Sequence, residues 1–184
     1  MPRKEVEVKV QVDEEEVEET KKKIKELGGE KIEEIVEKDL YFTSPVRDFM
    51  ETNECLRIRR RPDYKELTYK GKSNEAMKEK DQFWKSELDI PIEDVEKVRS
   101  LLVSIGCKEL VDVVKHRQKF ELEGKEITLD KVNSVGWFLE VESEVEEEKV
   151  EEAVEENQEL VKKLGLGGNP VVEKPYRDVV LKSE

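Results

Sequence analysis

The sequence predicts an α+β domain in which a curled β-sheet turns charged faces toward a common interior while helices cover its apolar outside. Three observations predict it. The chain opens with Glu5-Val6-Glu7-Val8-Lys9-Val10-Gln11-Val12, where valine alternates with charged or polar residues at the two-residue period of a strand. The same one-sided pattern of charge recurs in several later strands. A strand, helix, strand unit is also repeated along the chain. At 184 residues the whole chain, 1–184, fits one domain with a real core.

The first strand puts Glu5, Glu7 and Lys9 in a row on one side. After it, Asp13 with Glu16 three residues later has the form of a helix N-cap, and Val17, Ile24 and Leu27 mark an apolar stripe that stops at Gly28-Gly29. A β-rich segment runs from Ile32 to Phe42 and is broken by Thr43-Ser44-Pro45. Leu56-Arg57-Ile58-Arg59 and Leu67-Thr68-Tyr69-Lys70 are two further alternating strands around Arg61-Pro62-Asp63. Gly71 to Gln82, polar and lysine-rich, reads as a mobile loop, and Trp84 to Ile92 as another strand. Val95, Val98, Leu101, Leu102 and Ile105 then recur at helical spacing until Gly106.

Shifting Gly106 onto Gly28 aligns Val95 with Val17, Ile105 with Leu27, Leu110 with Ile32 and Phe120 with Phe42, without a gap. A looser third copy begins at Glu140-Val141-Glu142, passes through a helix carrying Val150, Ala153, Val154, Val161 and Leu164, and reaches Gly165.

Composition excludes several classes of function. Hydrophobic residues make up 35% and charged residues 44%, so the core is built from one face of each element. The net charge of -13 lacks the basic field that non-specific nucleic-acid or membrane-surface binding needs. Two cysteines, Cys55 and Cys107, are too few for a disulfide framework or zinc cluster and suit a reducing interior. With no apolar leader and no long apolar run, the expected location is the cytoplasm.

Three more strands complete the charge pattern. Lys115, Arg117 and Lys119 share a face of Val114 to Phe120, Thr128 and Asp130 a face of Ile127 to Lys131, and Glu140 and Glu142 a face of Leu139 to Ser143. Alone, any one of these is a solvated strand face. A sandwich would leave all of them in water; a sheet curled so that they converge accounts for them together. The interior would then hold two sets. Glu5, Glu7, Asp130, Glu140 and Glu142, with Glu87, suit Mg²⁺ or Mn²⁺, which take oxygen ligands. Lys9, Arg57, Arg59, Lys70, Lys85, Lys115 and Arg117 suit a polyanion, and metal beside so many cations points to a phosphate chain.

At these residues the chain resembles the CYTH superfamily, which includes class IV adenylyl cyclases, thiamine triphosphatases and other triphosphate tunnel metalloenzymes. The matching signature is Glu5-x-Glu7-x-Lys9, Asp39-x-Tyr41-Phe42, Leu56-Arg57-Ile58-Arg59, Thr68-x-Lys70, Lys115-x-Arg117, Asp130 and Glu140-x-Glu142, in that order. Lys115-His116-Arg117 followed by Asp130, Gly136 and the acidic strand is most similar to the class IV cyclases, and Pro175-Tyr176-Arg177-Asp178 looks like a C-terminal motif of the family. The resemblance implies a closed eight-stranded antiparallel barrel with the active site in its bore, divalent metal on the acidic set and triphosphate on the basic set. Glu5, Glu7, Lys9 and Glu142 are the expected catalytic residues. ATP converted to cyclic AMP and pyrophosphate is the first reading. An inorganic or thiamine triphosphatase, and a non-catalytic polyphosphate binder, are the others.

Trp137-Phe138 departs from the family pattern, so base recognition does not carry over; the pair are candidates for base contacts if the chain is a cyclase. His116, the only histidine, has the parity of the opposite face from Lys115 and Arg117, which favours a structural role. Lys72, Lys78 and Lys80 are expected to be solvated, with a lid over the substrate as the lesser reading. The apolar helix stripes would also serve a homodimer contact.

Overall fold

The computed structural model describes residues 4–71 and 87–183, and within them the chain forms eight strands and four helices. In order these are β1 (Lys4–Val12), α1 (Val17–Glu26), β2 (Glu30–Thr43), β3 (Cys55–Arg60), β4 (Lys65–Lys70), β5 (Glu87–Pro91), α2 (Val95–Ser104), β6 (Lys108–Leu122), β7 (Lys125–Val132), β8 (Gly136–Val145), α3 (Val150–Lys163) and α4 (Tyr176–Ser183). None of the helices is long and apolar enough to cross a membrane. The loop expected from Gly71 to Gln82, with Lys72, Lys78 and Lys80, lies outside the described residues apart from Gly71, as does Lys85.

The strands form one antiparallel sheet in the order β1-β8-β7-β6-β2-β3-β4-β5. Register follows from burial. Val6, Val8, Val10 and Val12 are all buried, and a one-residue slip of β1 would carry them into the charged interior. Val8, Val10 and Val12 pack with Val17 and Ile24 of α1 and Leu160, Val161 and Leu164 of α3, and Val6 with Val150 and Ala153. A second cluster, Leu40, Phe42 and Ile58, lies under Leu102 of α2.

Three helices end in the same way. Gly28, Gly106 and Gly165 have φ of +89°, +95° and +86°, a region open to glycine at little cost. The residue after each glycine donates its N–H five positions back, Gly29 to Ile24 at 2.8 Å, Cys107 to Leu102 at 2.9 Å and Leu166 to Val161 at 3.1 Å. The repeated unit is therefore visible in its stop signal. Its third copy lacks a full returning strand, for which a single bridge from Val171 to Val10 stands in.

That bridge bears on closure of the sheet. A closed barrel requires β1 to pair with β5, and among the described residues no hydrogen-bonded pairing joins them. Part of the free edge of β1 is already used: Gln11 N–H donates to Pro170 C=O at 3.0 Å, and Val172 N–H donates to Lys9 C=O at 2.9 Å. The sheet still curls far enough for side chains to meet across the gap, Lys70 of β4 lying 3.2 Å from Glu5 of β1.

The inner face is not polar throughout. At one end Tyr41, Cys55, Val113, Val132 and Phe138, which share strand faces with the charged residues, form an apolar floor on which α4 seats Tyr176 and Val180. Cys55 and Cys107 are both buried and unpaired.

Candidate active site

Above this floor the sheet encloses a cavity of about 660 Å³, the size of a small-ligand site. Glu5, Glu7 and Lys9 enter it from β1, Arg57 and Arg59 from β3, Lys70 from β4 and Glu87 from β5. Lys115 and Arg117 enter from β6, and Glu140 and Glu142 from β8. Every described member of the two expected sets thus lines one cavity except Asp130, which sits behind Arg117.

The deep part is a lattice of paired charges. On β2, Glu37 and Asp39 are essentially fully buried. Arg59 donates from Nε and Nη2 to the two oxygens of Asp39, both at 2.9 Å. Lys115 Nζ lies 3.0 Å from Glu37, and Arg61 pairs with the same carboxylate. Burial by itself would raise Glu37, but Lys115, Arg117 and Arg59 outweigh it and hold it at about 2. Asp39 is likewise depressed, burial being overcome by Arg59, Arg57 and Lys115. Lys115 is pulled down, first by burial and then by the crowding of Arg117 and Arg59.

The side formed by β6, β7, β8 and β1 has the same construction. Arg117 grips Asp130 with Nε at 2.8 Å and Nη2 at 2.6 Å, and Nη2 also reaches Glu140 at 2.7 Å. Lys9 Nζ lies 2.7 Å from Glu7 and 3.2 Å from Glu140. Burial would depress Lys9, but Glu7 and Glu140 hold its pKa above the usual lysine value. Each of these cations is held against a carboxylate of the same lattice.

The outer part is different. Glu5 and Glu7 are each 28% exposed there, against 2% for Lys115. Among the described residues no lysine or arginine lies within ion-pair distance of Glu142. Burial, and then the negative charge of Glu5, Glu126, Glu7 and Glu140, pushes its carboxyl up to about 8. Glu5 rises to about 7, chiefly through burial, with Lys70 pulling down and Glu87 pushing up. Among the described residues the carboxylates of this outer part outnumber the cations paired with them, and such a donor set fits a hard divalent cation. Among the described residues no three carboxylates already stand at ligand spacing.

Several residues of the site were not singled out from the sequence. Glu37 was missed, and Asp39 was noted only as part of a motif, although their alternation with Val36, Lys38 and Leu40 marks them as inward-facing. Tyr176 belongs to the C-terminal motif, but nothing in the motif puts it in the cavity, since its place depends on the path of residues 164–176. Trp137, by contrast, is on the outer side of β8: its Nε1 donates to Glu14 at 2.6 Å, and Lys21 and Lys131 place their ammonium groups 5.7 and 5.3 Å from its ring centroid. Phe138 is buried in the floor, edge-on to Tyr176 with centroids 5.1 Å apart. Neither presents a face for a base. His116 is exposed, as its parity predicts.

The CYTH domain family matches residues 3–176. A Methanocaldococcus jannaschii protein named "Putative adenylate cyclase" is 31% identical over 176 residues, 95% of this chain and 97% of that one. The solved structure of a Pyrococcus horikoshii protein superposes with a TM-score of 0.84 at 34% identity, covering 98% of this chain and 99% of that one. A Hippeastrum protein described as a "putative adenylyl cyclase" with a dominant triphosphatase activity shares the fold, with a TM-score of 0.60 at 16% identity over 94% of this chain and 90% of that one.

Proposed function

The chain belongs to the CYTH domain family, and from that premise we propose that it is a metal-dependent enzyme acting on triphosphates, with ATP cyclisation to cyclic AMP and pyrophosphate as its reaction. The observation that carries this reading is the division of one cavity into a deep cation lattice and an outer carboxylate surplus. A triphosphate chain bridging metal and guanidinium groups needs both.

In this reading Arg57, Arg59, Lys115 and Arg117, with Lys9 and Lys70, orient the phosphates and offset charge on the leaving group. Lys85, which lies outside the described residues, would join them. Glu5, Glu7, Glu87 and Glu142 would hold Mg²⁺ or Mn²⁺, and Glu140 and Asp130 would contribute only after giving up Arg117. The cation, when bound, supplies a lowered pKa at the attacking oxygen and screens the phosphates. In cyclisation the ribose 3′-oxygen forms a bond to the α-phosphorus, the bond from that phosphorus to the bridging oxygen breaks, and pyrophosphate departs. The hydroxyl proton would need an acceptor, and one of the carboxylates Glu5, Glu7, Glu87 or Glu142 would provide it. Side chains at the seam, rather than a hydrogen-bonded β1–β5 pair, would complete the tunnel.

A second reading is favoured by the aromatic residues. Because Trp137 is outside and Phe138 is in the floor, neither is available to hold a base, which suits hydrolysis of inorganic or thiamine triphosphate; the activity described for the Hippeastrum protein points the same way.

Products are to be assayed with ATP, inorganic triphosphate and thiamine triphosphate, each with Mg²⁺ and with Mn²⁺. Cyclic AMP with pyrophosphate supports the cyclase. Orthophosphate without cyclic AMP supports the hydrolase. No turnover, with inorganic triphosphate bound, would leave a non-catalytic binder.

A further inference from the structure

Tyr176 is the residue through which the C-terminal helix touches the charged lattice. Its hydroxyl donates to Asp130 Oδ2 at 3.0 Å, the same oxygen that takes Arg117 Nη2 at 2.6 Å. The face of its ring receives Lys9 Nζ at 4.7 Å and Lys115 Nζ at 5.2 Å from the centroid, within cation–π range. One side chain thus contacts β1, β6 and β7 together.

Its depth is fixed from both sides. Upstream, Pro170 and Val172 are hydrogen-bonded to β1 at Gln11 and Lys9. Downstream, the fully buried Arg177 donates to Glu54 C=O at 2.9 Å and, through Nε, to Asp178 at 2.6 Å. Phe138 braces the ring from the edge. Arg177 is a helix residue that spends its guanidinium on backbone and on its neighbour. That is an anchoring arrangement, and what it anchors is Tyr176.

We infer that Tyr176 is a positioning residue for the anion site: its hydroxyl fixes the orientation in which Asp130 presents Arg117, and its ring sets the approach of Lys9 and Lys115. The inference rests on the reading of the cavity as a phosphate site. Two of these cations are lysines, flexible point charges that need an external support to share one geometry, whereas Arg117 is held by its bidentate carboxylate. The C-terminal helix is then part of the binding machinery as well as a stopper.

The test is calorimetric titration of the full chain with inorganic triphosphate in the presence of a metal chelator, which reads the cation lattice without catalysis. All measurements are made well below each variant's melting temperature. Tyr176→Phe removes the hydroxyl and keeps the ring; it is expected to weaken binding about five- to tenfold, the worth of one ordinary hydrogen bond. Asp130→Asn should weaken it further, and the double variant should match Asp130→Asn alone, because the hydroxyl acts through that carboxylate. Wild-type affinity in Tyr176→Phe, or effects that simply multiply in the double variant, would overturn the inference while leaving the phosphate site standing. A wild-type protein that binds no triphosphate would overturn both.

Discussion

Lys70 Nζ on β4 lies 3.2 Å from Glu5 Oε1 on β1 and 2.8 Å from Glu87 Oε2 on β5. One ammonium therefore spans the two strands that end the sheet, where among the described residues backbone pairing does not. Burial would depress Lys70, yet Glu5 and Glu87 hold its pKa above the usual lysine value. Lys70→Ala should leave the carboxylates facing one another uncompensated. The expected result is a lower melting temperature without metal at pH 8, and a larger rise on adding Mg²⁺ than in wild type. Equal Mg²⁺-induced shifts in the two proteins would refute this account of the seam.

Glu5→Gln and Glu142→Gln each remove one member of the carboxylate surplus. Turnover should fall roughly 100-fold at a fixed, sub-saturating Mg²⁺ concentration, the scale of losing one metal contact. The metal-free variants should melt at or above the wild-type temperature, because a buried repulsion has been removed. Kinetics across a Mg²⁺ titration, with melting curves in chelator, separate the two effects.

The same carboxylates give the metal-free protein a defined pH response. Glu5 and Glu142 keep their protons in the folded chain up to about 7 and about 8, while in the unfolded chain they lose them near 4.5. The folded state therefore binds more protons across that window, and its stability falls as pH rises through it. The penalty is absent below about 4.5 and complete above about 8. Melting temperatures in chelator should fall from pH 5 to pH 8.5, with a shallower slope in Glu142→Gln. Binding of a divalent cation should release protons and tighten as pH rises.

Arg59 and Asp39 form a buried bidentate pair, and removing one partner strands the other. Arg59→Ala should cost roughly 3–5 kcal/mol, a drop of about 6–20 °C for a domain of this size. Arg57 is held more loosely, 3.6 Å from Asp39 and 3.8 Å from Glu87. Arg57→Ala should chiefly raise KM for the triphosphate. Thermal melts and steady-state kinetics on the two variants would expose the reverse ranking if the roles are misassigned.

Trp137→Ala tests the outward placement of the indole. KM for ATP and the preference for ATP over inorganic triphosphate should change less than about twofold, while stability falls by about 1–3 kcal/mol from lost packing and the lost bond to Glu14. A selective loss of ATP activity would put the side chain back at the base.

Local pattern by itself determined the strands, the three glycine-stopped helices and most of the cavity wall. A strand shows its two faces at a period of two, and burial of the valines permits only the register that turns Glu5, Glu7 and Lys9 inward. Legible for the same reason were Arg57, Arg59, Lys115, Arg117, Glu140 and Glu142, and the outward His116. Tertiary structure decided what depends on contacts between distant segments. Part of the free edge of β1 is taken by Pro170 and Val172, and no pattern within β1 records that. Phe138 and Glu140 share a face, but the first lies on the apolar floor under α4 and the second in the cavity, because polarity changes along the strand where a helix covers it. Tyr176 reaches Asp130 only because residues on both sides of it are anchored elsewhere. Alternation assigns a side chain to a face; only the packed fold assigns it a neighbour and a depth.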